Sequence, residues 1–316
     1  MKTLIVTCIY SGLYNTELGG RDSRDGHYKN SLKSLLKMTE AKFVCFTSDK
    51  QIEDLRNFFY AINNFNESQI EFKTFDLKDT LYHNKIKKIK KIQELTVNDR
   101  CYEIQYSKFF WCLDFCDFDD YENIFWFDAG LSHSGLIPPK FLDYTKGYWE
   151  MYFESKLFNN TFLQNLISFS NNKIVLCAKE NVRNYWSKTL PKKYYKKYKT
   201  DYHIIGGFFG GEKNLMKNLC SLFVDRMNDV LDNESQLYLE ENILTSIFYD
   251  YQELFNPLFF DIWWHEDDNI PGVNLKELTT KEKSFYKIIE NLNSDSLLLE
   301  LKKEKQQKIN KIFKSK

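Results

Sequence analysis

Short apolar runs alternate with helical patterns along the first 80 residues of the chain. Residues 4–9 form an apolar, β-branched run, and a polar loop with several glycines separates them from a helical pattern over residues 28–37. Residues 42–46 and 71–75 predict two more strands, with a helix over residues 51–59 between them. Strands that alternate with helices indicate an α/β fold with a mostly parallel, Rossmann-like central sheet flanked by helices.

The segment 121–135, YENIFWFDAGLSHSG, predicts a buried strand that ends in an acidic turn. Residues 124–127 are large and apolar, and Asp128, Ala129 and Gly130 follow at once. In open α/β sheets ligands collect beyond the carboxyl ends of the strands, where Asp128 could meet a metal, a phosphate or a sugar. The alternative is an aspartate that only caps the next turn, which is common turn chemistry.

Residues 100–116 predict a helix that leads into this strand and carries a lysine among apolar residues. Lys108 lies about 100° around the helix from the side formed by Arg100, Glu103, Ser107 and Asp114. A lysine on an apolar stripe either extends its ammonium to water or meets a partner such as a phosphate or a carboxylate.

Residues 203–213, HIIGGFFGGEK, follow a further predicted strand at 173–177 and place two glycine pairs around two aromatic residues. Glycine weakens a strand, so the pairs indicate tight bends or a close approach of the backbone to a ligand. A bulged hairpin is the alternative.

The last third of the chain begins with a predicted helix over residues 235–249, which carries Glu240 and Glu241 near its start. An aromatic, strand-like run follows at residues 255–264 and ends in His265. Acidic residues at a helix start compensate the helix dipole, which explains both glutamates without any chemistry. A single histidine beside tryptophans is commonly a structural residue.

The charge balance argues against nucleic-acid binding, because Lys plus Arg and Asp plus Glu both number 44 in the 316 residues. The lysines cluster nonetheless, at residues 81–93, 190–200 and 301–316. A solvated helix face is the favoured interpretation. Contact with an anionic membrane surface is the alternative, because apolar residues stand among the lysines of the first and third clusters at helical spacing: Ile86, Ile89, Ile309 and Phe313.

Composition also bears on the compartment and on the kind of site. The seven cysteines form no CxxC pair, which predicts reduced and mostly buried thiols rather than a disulfide framework or a zinc site. The start, MKTLIVTCIY, is not a signal peptide, and no run of about 18 apolar residues exists, so a cytoplasmic chain is expected. Aromatic residues make up 17% of the chain, which suits a groove for sugars or bases, or reflects a compositional bias.

Several common sites are absent from the sequence. It contains no GxGxxG, no Walker A sequence, no GxSxG and no HExxH, which argues against nicotinamide, P-loop, α/β-hydrolase and zincin chemistry.

Taken together, FWFDAG after an apolar strand, GGFFGG downstream, the helix that starts at Glu240 and Glu241, and the strand ending in Trp264 and His265 resemble a GT-A-type glycosyltransferase. More narrowly, DAGLSHSG, the loop with Arg21 and the EEN helix are similar to the HtrL/YibB family of bacterial proteins, which is associated with lipopolysaccharide or capsule gene clusters. The resemblance implies a GT-A-like domain over residues 1–270. Residues 271–316 are expected to form a helical, basic extension.

The resemblance implies a nucleotide-sugar donor whose diphosphate is held by Mn²⁺ or Mg²⁺ on a DxD motif. Here Asp128 supplies the first carboxylate, and Gly130 stands in place of the second. His265 could complete a metal site with Asp128, or Arg21 and Lys108 could neutralise the diphosphate without a metal.

The resemblance also implies roles for other residues of the site. Glu240 or Glu241 would be the acidic catalytic group, acting as a general base or stabilising an oxocarbenium-like centre. The implied donor-binding set, beyond Arg21, Lys108 and Asp128, is Thr7, Tyr10, Ala129, Gly130, Gly206, Gly207 and Phe208.

The expected function is therefore transfer of a sugar from a nucleotide-sugar donor to a bacterial surface glycan, lipopolysaccharide or capsule, with a glycan or lipid-linked glycan as acceptor. Residues 301–316 would make a peripheral contact with the inner membrane. The alternative is a non-catalytic protein of the same fold that binds a nucleotide or a glycan.

Overall fold

The computed structural model describes residues 2–13, 16–19, 25–63, 65–92, 101–131, 145, 157–180, 190–195, 202–233 and 236–259. Arg21 lies outside the described residues, and so do residues 260–316, which include His265 and the predicted C-terminal extension.

A seven-stranded sheet forms the centre of the described residues, in the order β3-β2-β1-β4-β6-β5-β7. The strands pair in parallel except for β6, which is antiparallel to both β4 and β5. The strands are β1 Thr3–Cys8, β2 Ala41–Thr47, β3 Ile70–Thr74, β4 Asn123–Phe127, β5 Ile174–Glu180, β6 Tyr202–Glu212 and β7 Phe255–Phe259. The predicted α/β class with a mostly parallel sheet is confirmed.

Helices cover both faces of the sheet. They are α1 Tyr28–Leu35, α2 Asp49–Tyr60, α3 His83–Ile92, α4 Tyr102–Leu113, α5 Asn160–Ser170, α6 Lys192–Tyr195, α7 Lys213–Asn233 and α8 Glu240–Asp250. Short 3₁₀ turns stand at Asp25–His27, Glu67–Gln69, Leu77–Asp79 and Gln252–Leu254.

The alternation of side chains along the strands divides the core into two clusters, one on each face of the sheet. In β1, Leu4 and Val6 belong to one cluster and Ile5 belongs to the other. The first cluster also contains Trp126 of β4 and the buried residues of α3, α4, α7 and α8. The second contains the buried residues of α1, α2 and α5. We call the face of the first cluster the α4 face and the opposite one the α1 face.

Local sequence explains where individual helices begin and end. Asn159 precedes α5, and its side-chain oxygen accepts a hydrogen bond from the backbone N–H of Phe162 at 2.9 Å. The helix ends at Asn171, whose φ of 44° is the left-handed conformation that asparagine tolerates. At the start of α8, the side-chain oxygen of Asn242 accepts from the backbone N–H of Leu239 at 3.2 Å.

The expected polar side of α4 is buried, which corrects the sequence interpretation. Glu103 is 1% exposed and Ser107 is 2% exposed, because α3 and the turn before it cover this side of the helix. Glu103 Oε1 lies 3.0 Å from His83 Nδ1, and the hydroxyl of Ser107 lies 3.2 Å from that of Thr80. A helix enclosed by neighbours on several sides loses the apolar and polar asymmetry on which such a prediction depends.

The first lysine cluster lies on α3, whose apolar residues face the protein. Ile86 and Ile89 are 0% and 5% exposed and belong to the α4-face core, so they are not available to a membrane. This outcome agrees with a solvated helix face. None of the helices in the described part of the chain is long and apolar enough to cross a bilayer.

All seven cysteines lie within the described residues and are free thiols, six of them buried. Burial raises the pKa of the thiols of Cys112, Cys177 and Cys220 well above the ordinary range, so they stay protonated at neutral pH.

Candidate functional site

The sheet has a topological switch point between β1 and β4. From β1 the chain runs outward to β2 and β3 on one side and then returns to β4 on the other side. Connections on opposite sides leave a crevice beyond the carboxyl ends of the two central strands, where open α/β sheets bind ligands. Asp128 is the first residue after β4 and therefore stands at this crevice.

The ammonium of Lys108 is the centre of the site. Lys108 lies on α4, is 4% exposed, and has three oxygen acceptors for its three N–H bonds. Its Nζ lies 2.9 Å from Asp128 Oδ1, 2.6 Å from Glu240 Oε1 and 3.2 Å from the carbonyl oxygen of Gly206. Of the two sequence interpretations, the one in which this lysine meets a partner is confirmed.

Asp128 is both a turn residue and a member of the charged cluster. Its backbone carbonyl accepts from the N–H of Leu131 at 2.9 Å, and its own N–H donates to the carbonyl of Gly207 at 2.8 Å. Its Oδ1 accepts the indole N–H of Trp126 at 2.7 Å in addition to Lys108. Its side chain is nevertheless 37% exposed, so the carboxylate is held on one side and open to solvent on the other.

Gly206 allows β6 to lie directly against the start of α8. Its carbonyl accepts from Lys108 and its N–H donates to Glu241 Oε1 at 3.3 Å. A Cβ at this position would lie 2.6 Å from Glu240 Oε1, closer than such contacts occur. The glycine pair thus serves a close approach, although what approaches is a glutamate of the chain itself. The bulge of the alternative interpretation is also present, because the register between β5 and β6 shifts at Leu176 and Cys177, which pair with Phe209 and Ile205.

The two glutamates of α8 have different surroundings. Glu240 points into the protein, with 6% of its side chain exposed, and is paired with Lys108. Glu241 has 24% of its side chain exposed, and its Oε2 lies 3.5 Å from Nε2 of the buried His203. Thr245, one turn further along the helix, donates to the carbonyl of Glu241 at 2.6 Å and lies 3.4 Å from His203 Nδ1. Only Glu241 combines a polar network with access to solvent.

The charges of the cluster shift the pKa values of its members. Burial lowers the pKa of Lys108, but the carboxylates of Asp128 and Glu240 outweigh that effect and hold it above its ordinary value. Burial raises the pKa of Glu240, Lys108 opposes the rise, and Glu241 and Asp128 add to it. The pKa of Lys108 is raised because two carboxylates share its ammonium, whereas the pKa of Glu240 is raised chiefly by burial. Lys108 is therefore charged at neutral pH.

Tyr10, predicted to contact a nucleotide, lies after β1 on the α4 face. Its hydroxyl donates to the carbonyl of Phe75 at 2.9 Å, and its ring stacks on Trp111 with a centroid separation of 6.1 Å. Trp111 is in turn 6.1 Å from Trp126. Stacked aromatic rings thus connect the ends of β1 and β4, although Tyr10 itself is only 6% exposed.

The structure does not bring Thr7 and Phe208 to the cluster. Phe208 is 1% exposed in the core of the α1 face, where its ring packs against Phe127 at 5.4 Å. Thr7 stands two residues from Ile5 and two from Ile9, which both belong to that core, and side chains two residues apart in a strand point to the same face. The side chain of Thr7 therefore also lies on the α1 face. Thr7 is fully buried, and its hydroxyl has no hydrogen-bond partner among the described residues.

Ala129 and Gly130 continue the turn that begins at Asp128. Ala129 is 3% exposed and packs in the core of the α1 face. A Cβ at Gly130 would lie 2.8 Å from the ring of Tyr28, so a carboxylate at this position would not fit without movement of that ring. The ring of Tyr28 therefore occupies the space that the second acidic side chain of a DxD pattern would need.

Two residues of the site were missed by sequence reasoning. Trp126 stands two positions before Asp128, and the two-residue period of a strand places both side chains on one face, so this signal was present. His203 carried no signal, because its contact with Glu241 spans 38 positions and depends on how α8 packs on β6.

The described residues by themselves do not fit a divalent metal ion. The Oδ1 of Asp128 already accepts from an ammonium and an indole, and a cation there would be repelled by Lys108. No three His, Cys, Asp or Glu side chains come together as metal ligands in the part of the chain that the structure describes. The predicted ligand His265 lies outside that part.

No protein-family model matches the chain, and no curated protein matches it either. Among solved structures, the chain is similar to the apo form of mouse xyloside xylosyltransferase 1, with 13% identity over 84% of this chain and 90% of that chain and a TM-score of 0.44.

Two further solved structures are similar over most of the chain. One is the galactosyltransferase LgtC in complex with donor and acceptor sugar analogues, with 8% identity over 81% of this chain and 73% of that chain and a TM-score of 0.45. The other is 4-diphosphocytidyl-2C-methyl-D-erythritol synthase from Anaerococcus prevotii, with 12% identity over 82% of this chain and 86% of that chain and a TM-score of 0.37.

Proposed function

We propose that this protein is a GT-A-like glycosyltransferase that transfers a sugar from a nucleotide-sugar donor to a glycan acceptor. The observation that carries the proposal is the position of Asp128, a partly exposed carboxylate at the switch point of the sheet that a buried lysine holds in place. A carboxylate that merely capped a turn would not need a buried ammonium.

Glu241 is the better candidate for the acidic catalytic group, and Glu240 is not. A group that removes a proton from an acceptor hydroxyl, or stabilises positive charge at the reacting carbon, must reach the substrate. Glu241 is partly exposed and lies against Gly206, whereas Glu240 is turned toward Lys108.

The donor diphosphate needs positive charge, and the charged cluster leaves none free. Lys108 is saturated by its own acceptors, so it acts on Asp128 and is not free for a phosphate. Arg21, in the loop after β1, is the cationic residue that we assign to the diphosphate. Comparison of donor binding with and without Mn²⁺ or Mg²⁺ tests whether a metal contributes.

The setting follows from the resemblance to the HtrL/YibB family. We assign the acceptor to a bacterial surface glycan, lipopolysaccharide or capsule, or to its lipid-linked precursor at the cytoplasmic side of the inner membrane. Residues 301–316 are basic with apolar residues at helical spacing, which suits a peripheral membrane contact. If deletion of 301–316 leaves sedimentation with anionic liposomes unchanged, this contact is wrong.

A non-catalytic nucleotide- or glycan-binding protein is the second candidate. The observation in its favour is that Asp128 Oδ1 and Glu240 are both already engaged inside the protein, and that Gly130 replaces the second acidic residue of the DxD pattern.

Binding and turnover have to be measured separately to decide between the two. Calorimetry with UDP-, GDP- and CMP-sugars, each with and without Mn²⁺, reports binding, and NMR of the released sugar and nucleotide reports hydrolysis or transfer. We expect binding and slow donor hydrolysis with one nucleotide class. Binding without any turnover would support the second candidate. Binding of none of the donors would contradict the glycosyltransferase and leave a glycan as the ligand of the second candidate.

A further inference from the structure

We infer that Lys108 and Glu240 are a positioning pair, which fixes the carboxylate of Asp128 toward the switch point without touching substrate. This inference rests on the proposed function for its consequence, but not for its geometry. It gives Lys108 a role different from binding the donor, and Glu240 a role different from catalysis.

The pair and the carbonyl of Gly206 come from three separate elements. Lys108 lies on α4, Glu240 in the first turn of α8, and Gly206 on β6. All three residues are buried. Only Asp128, the fourth group, has a substantial exposed fraction.

Among the described residues, the side-chain contacts of Asp128 are made by one of its two oxygens. Trp126 Nε1 donates to Oδ1 at 2.7 Å, and Lys108 Nζ forms an ion pair with the same oxygen at 2.9 Å. Two partners restrict the rotation of the carboxylate, because a single partner would leave it free to swing. The other oxygen is thereby aimed away from the two donors.

Glu240 keeps Lys108 in place. A lone ammonium among buried apolar rings would be costly, and the ion pair with Glu240 at 2.6 Å compensates it. Lys108 also lies 5.5 Å from the centre of the Trp126 ring, so both donors to Asp128 are in contact with each other. Glu240 thus acts on Asp128 through Lys108, which it holds in place.

The double variant Lys108→Met/Glu240→Met distinguishes a positioning pair from a purely structural ion pair. If the pair were only structural, the position of Asp128 would recover together with Tm in this variant. Removal of Lys108 alone leaves a buried carboxylate unpaired, and we expect Lys108→Met to lower Tm by about 5 °C or more. The double variant removes both charges and replaces them with apolar side chains of similar volume. We expect it to regain most of the lost Tm, because the one carboxylate left without its lysine, Asp128, is 37% exposed and not buried.

The NMR resonance of the Trp126 indole N–H reports the position of Asp128, because this N–H donates to Asp128 Oδ1. The measurement needs no substrate. The chain has six tryptophans, so Trp126→Phe identifies the resonance in a ¹⁵N–¹H spectrum. We expect the indole resonance of Trp126 to be displaced in Lys108→Met and to stay displaced in the double variant after Tm has recovered. Lys213→Met, which removes a surface lysine bound to Asp119, is the matched control and should leave the resonance in place.

Activity gives the second readout. If the protein turns over a nucleotide sugar, kcat should stay reduced by about 100-fold in the double variant after Tm has recovered, since misplacement of a group that positions substrate costs about that much. Absence of turnover in the wild type would contradict the proposed function alone, because the indole resonance still reports the positioning.

Two results would overturn the inference. One is a double variant that regains the wild-type indole resonance together with its Tm, because the pair would then be only structural. The other concerns Glu240→Met, which removes the oxygen that accepts from Lys108 and covers the case in which the double variant fails to fold. We expect its indole resonance to be displaced, and Glu240→Gln, which keeps an accepting oxygen, to restore the wild-type position. A wild-type resonance in Glu240→Met would show that Lys108 is not held through this contact.

Discussion

Gly206 lies so close to Glu240 that a methyl group on its Cα would be 2.6 Å from Glu240 Oε1. The glutamate cannot move aside cheaply, because the same oxygen accepts from the buried ammonium of Lys108. We therefore expect Gly206→Ala to lower the free energy of unfolding by about 1–3 kcal/mol, as overpacking does. Urea unfolding measures it. Gly26→Ala is the control, because nothing lies within 4 Å of a Cβ there. Equal stability of the two variants would contradict the close contact.

Asp128→Asn should separate function from fold. The asparagine keeps the shape of the side chain and an oxygen for Trp126 and Lys108, but it removes the charge that faces the switch point. We expect turnover or donor binding to fall about 100-fold or more, while the free energy of unfolding changes by about 1 kcal/mol. Asp120→Asn, at a side chain that is 76% exposed, is the matched control. Activity that survives in Asp128→Asn would show that Asp128 is only a turn residue.

Arg226 on α7 joins that helix to α8 through two directed hydrogen bonds. Its Nη1 donates to Ser246 at 3.0 Å and its Nη2 donates to Asp250 at 2.7 Å, while the guanidinium lies 4.1 Å from the ring centre of Tyr194. Lysine cannot reproduce this fork or the stacking, so Arg226→Lys should cost about 1–3 kcal/mol of unfolding free energy.

The control for Arg226→Lys is Arg56→Lys. Arg56 is a surface residue with 39% of its side chain exposed, paired with Glu53 three positions away. We expect a change below about 0.5 kcal/mol there. Similar losses in both variants, measured by urea unfolding, would mean that the buried geometry of Arg226 has no special value.

Stability should fall at alkaline pH because of the buried thiols. Burial raises the pKa of Cys101 from 9.0 to about 12, and that of Cys116 from 9.0 to about 11. The folded state then holds protons that the unfolded thiols release near pH 9. The stabilisation is complete below pH 9 and is lost as pH rises toward 11 and 12, by up to about 1.4 kcal/mol per pH unit for each thiol.

Urea unfolding under reducing conditions at pH 7.5, 9 and 10 measures this slope. Cys101→Ala removes one of the buried thiols, so its stability should decline less steeply over the same range. A wild-type stability that stays flat or rises up to pH 10 would show that these thiols do not stay protonated in the folded protein.

Sequence pattern predicted most of the sheet, because a strand's period and a helix's period depend on neighbours in the chain. The prediction for residues 4–9 differs from β1 by one residue at each end, and the one for residues 42–46 lies inside β2. The direction of β6 was not predictable in the same way. An antiparallel strand within a parallel sheet depends on which strands it pairs with, and β6 pairs with β4 and β5 through contacts far apart in sequence.

The candidate site divides along the same line. The sequence by itself determined that Asp128 follows a buried strand and that Lys108 is not on a solvent face. For the glycines at 206 and 207 it left a close approach and a bulged hairpin open. It left Glu240 and Glu241 equivalent, because the two are the same residue type and both stand in the first turn, where the helix dipole acts on them alike.

Only the tertiary structure decided between these two glutamates. Adjacent positions on a helix point about 100° apart, so once α8 packs on β6, Glu240 meets a lysine 132 positions earlier and Glu241 stays open to solvent. Local sequence fixes which way a side chain points from its own backbone. The packing of α4, α8 and β6 fixes what that side chain meets, and that choice assigns Asp128, Lys108 and Glu240 to one cluster.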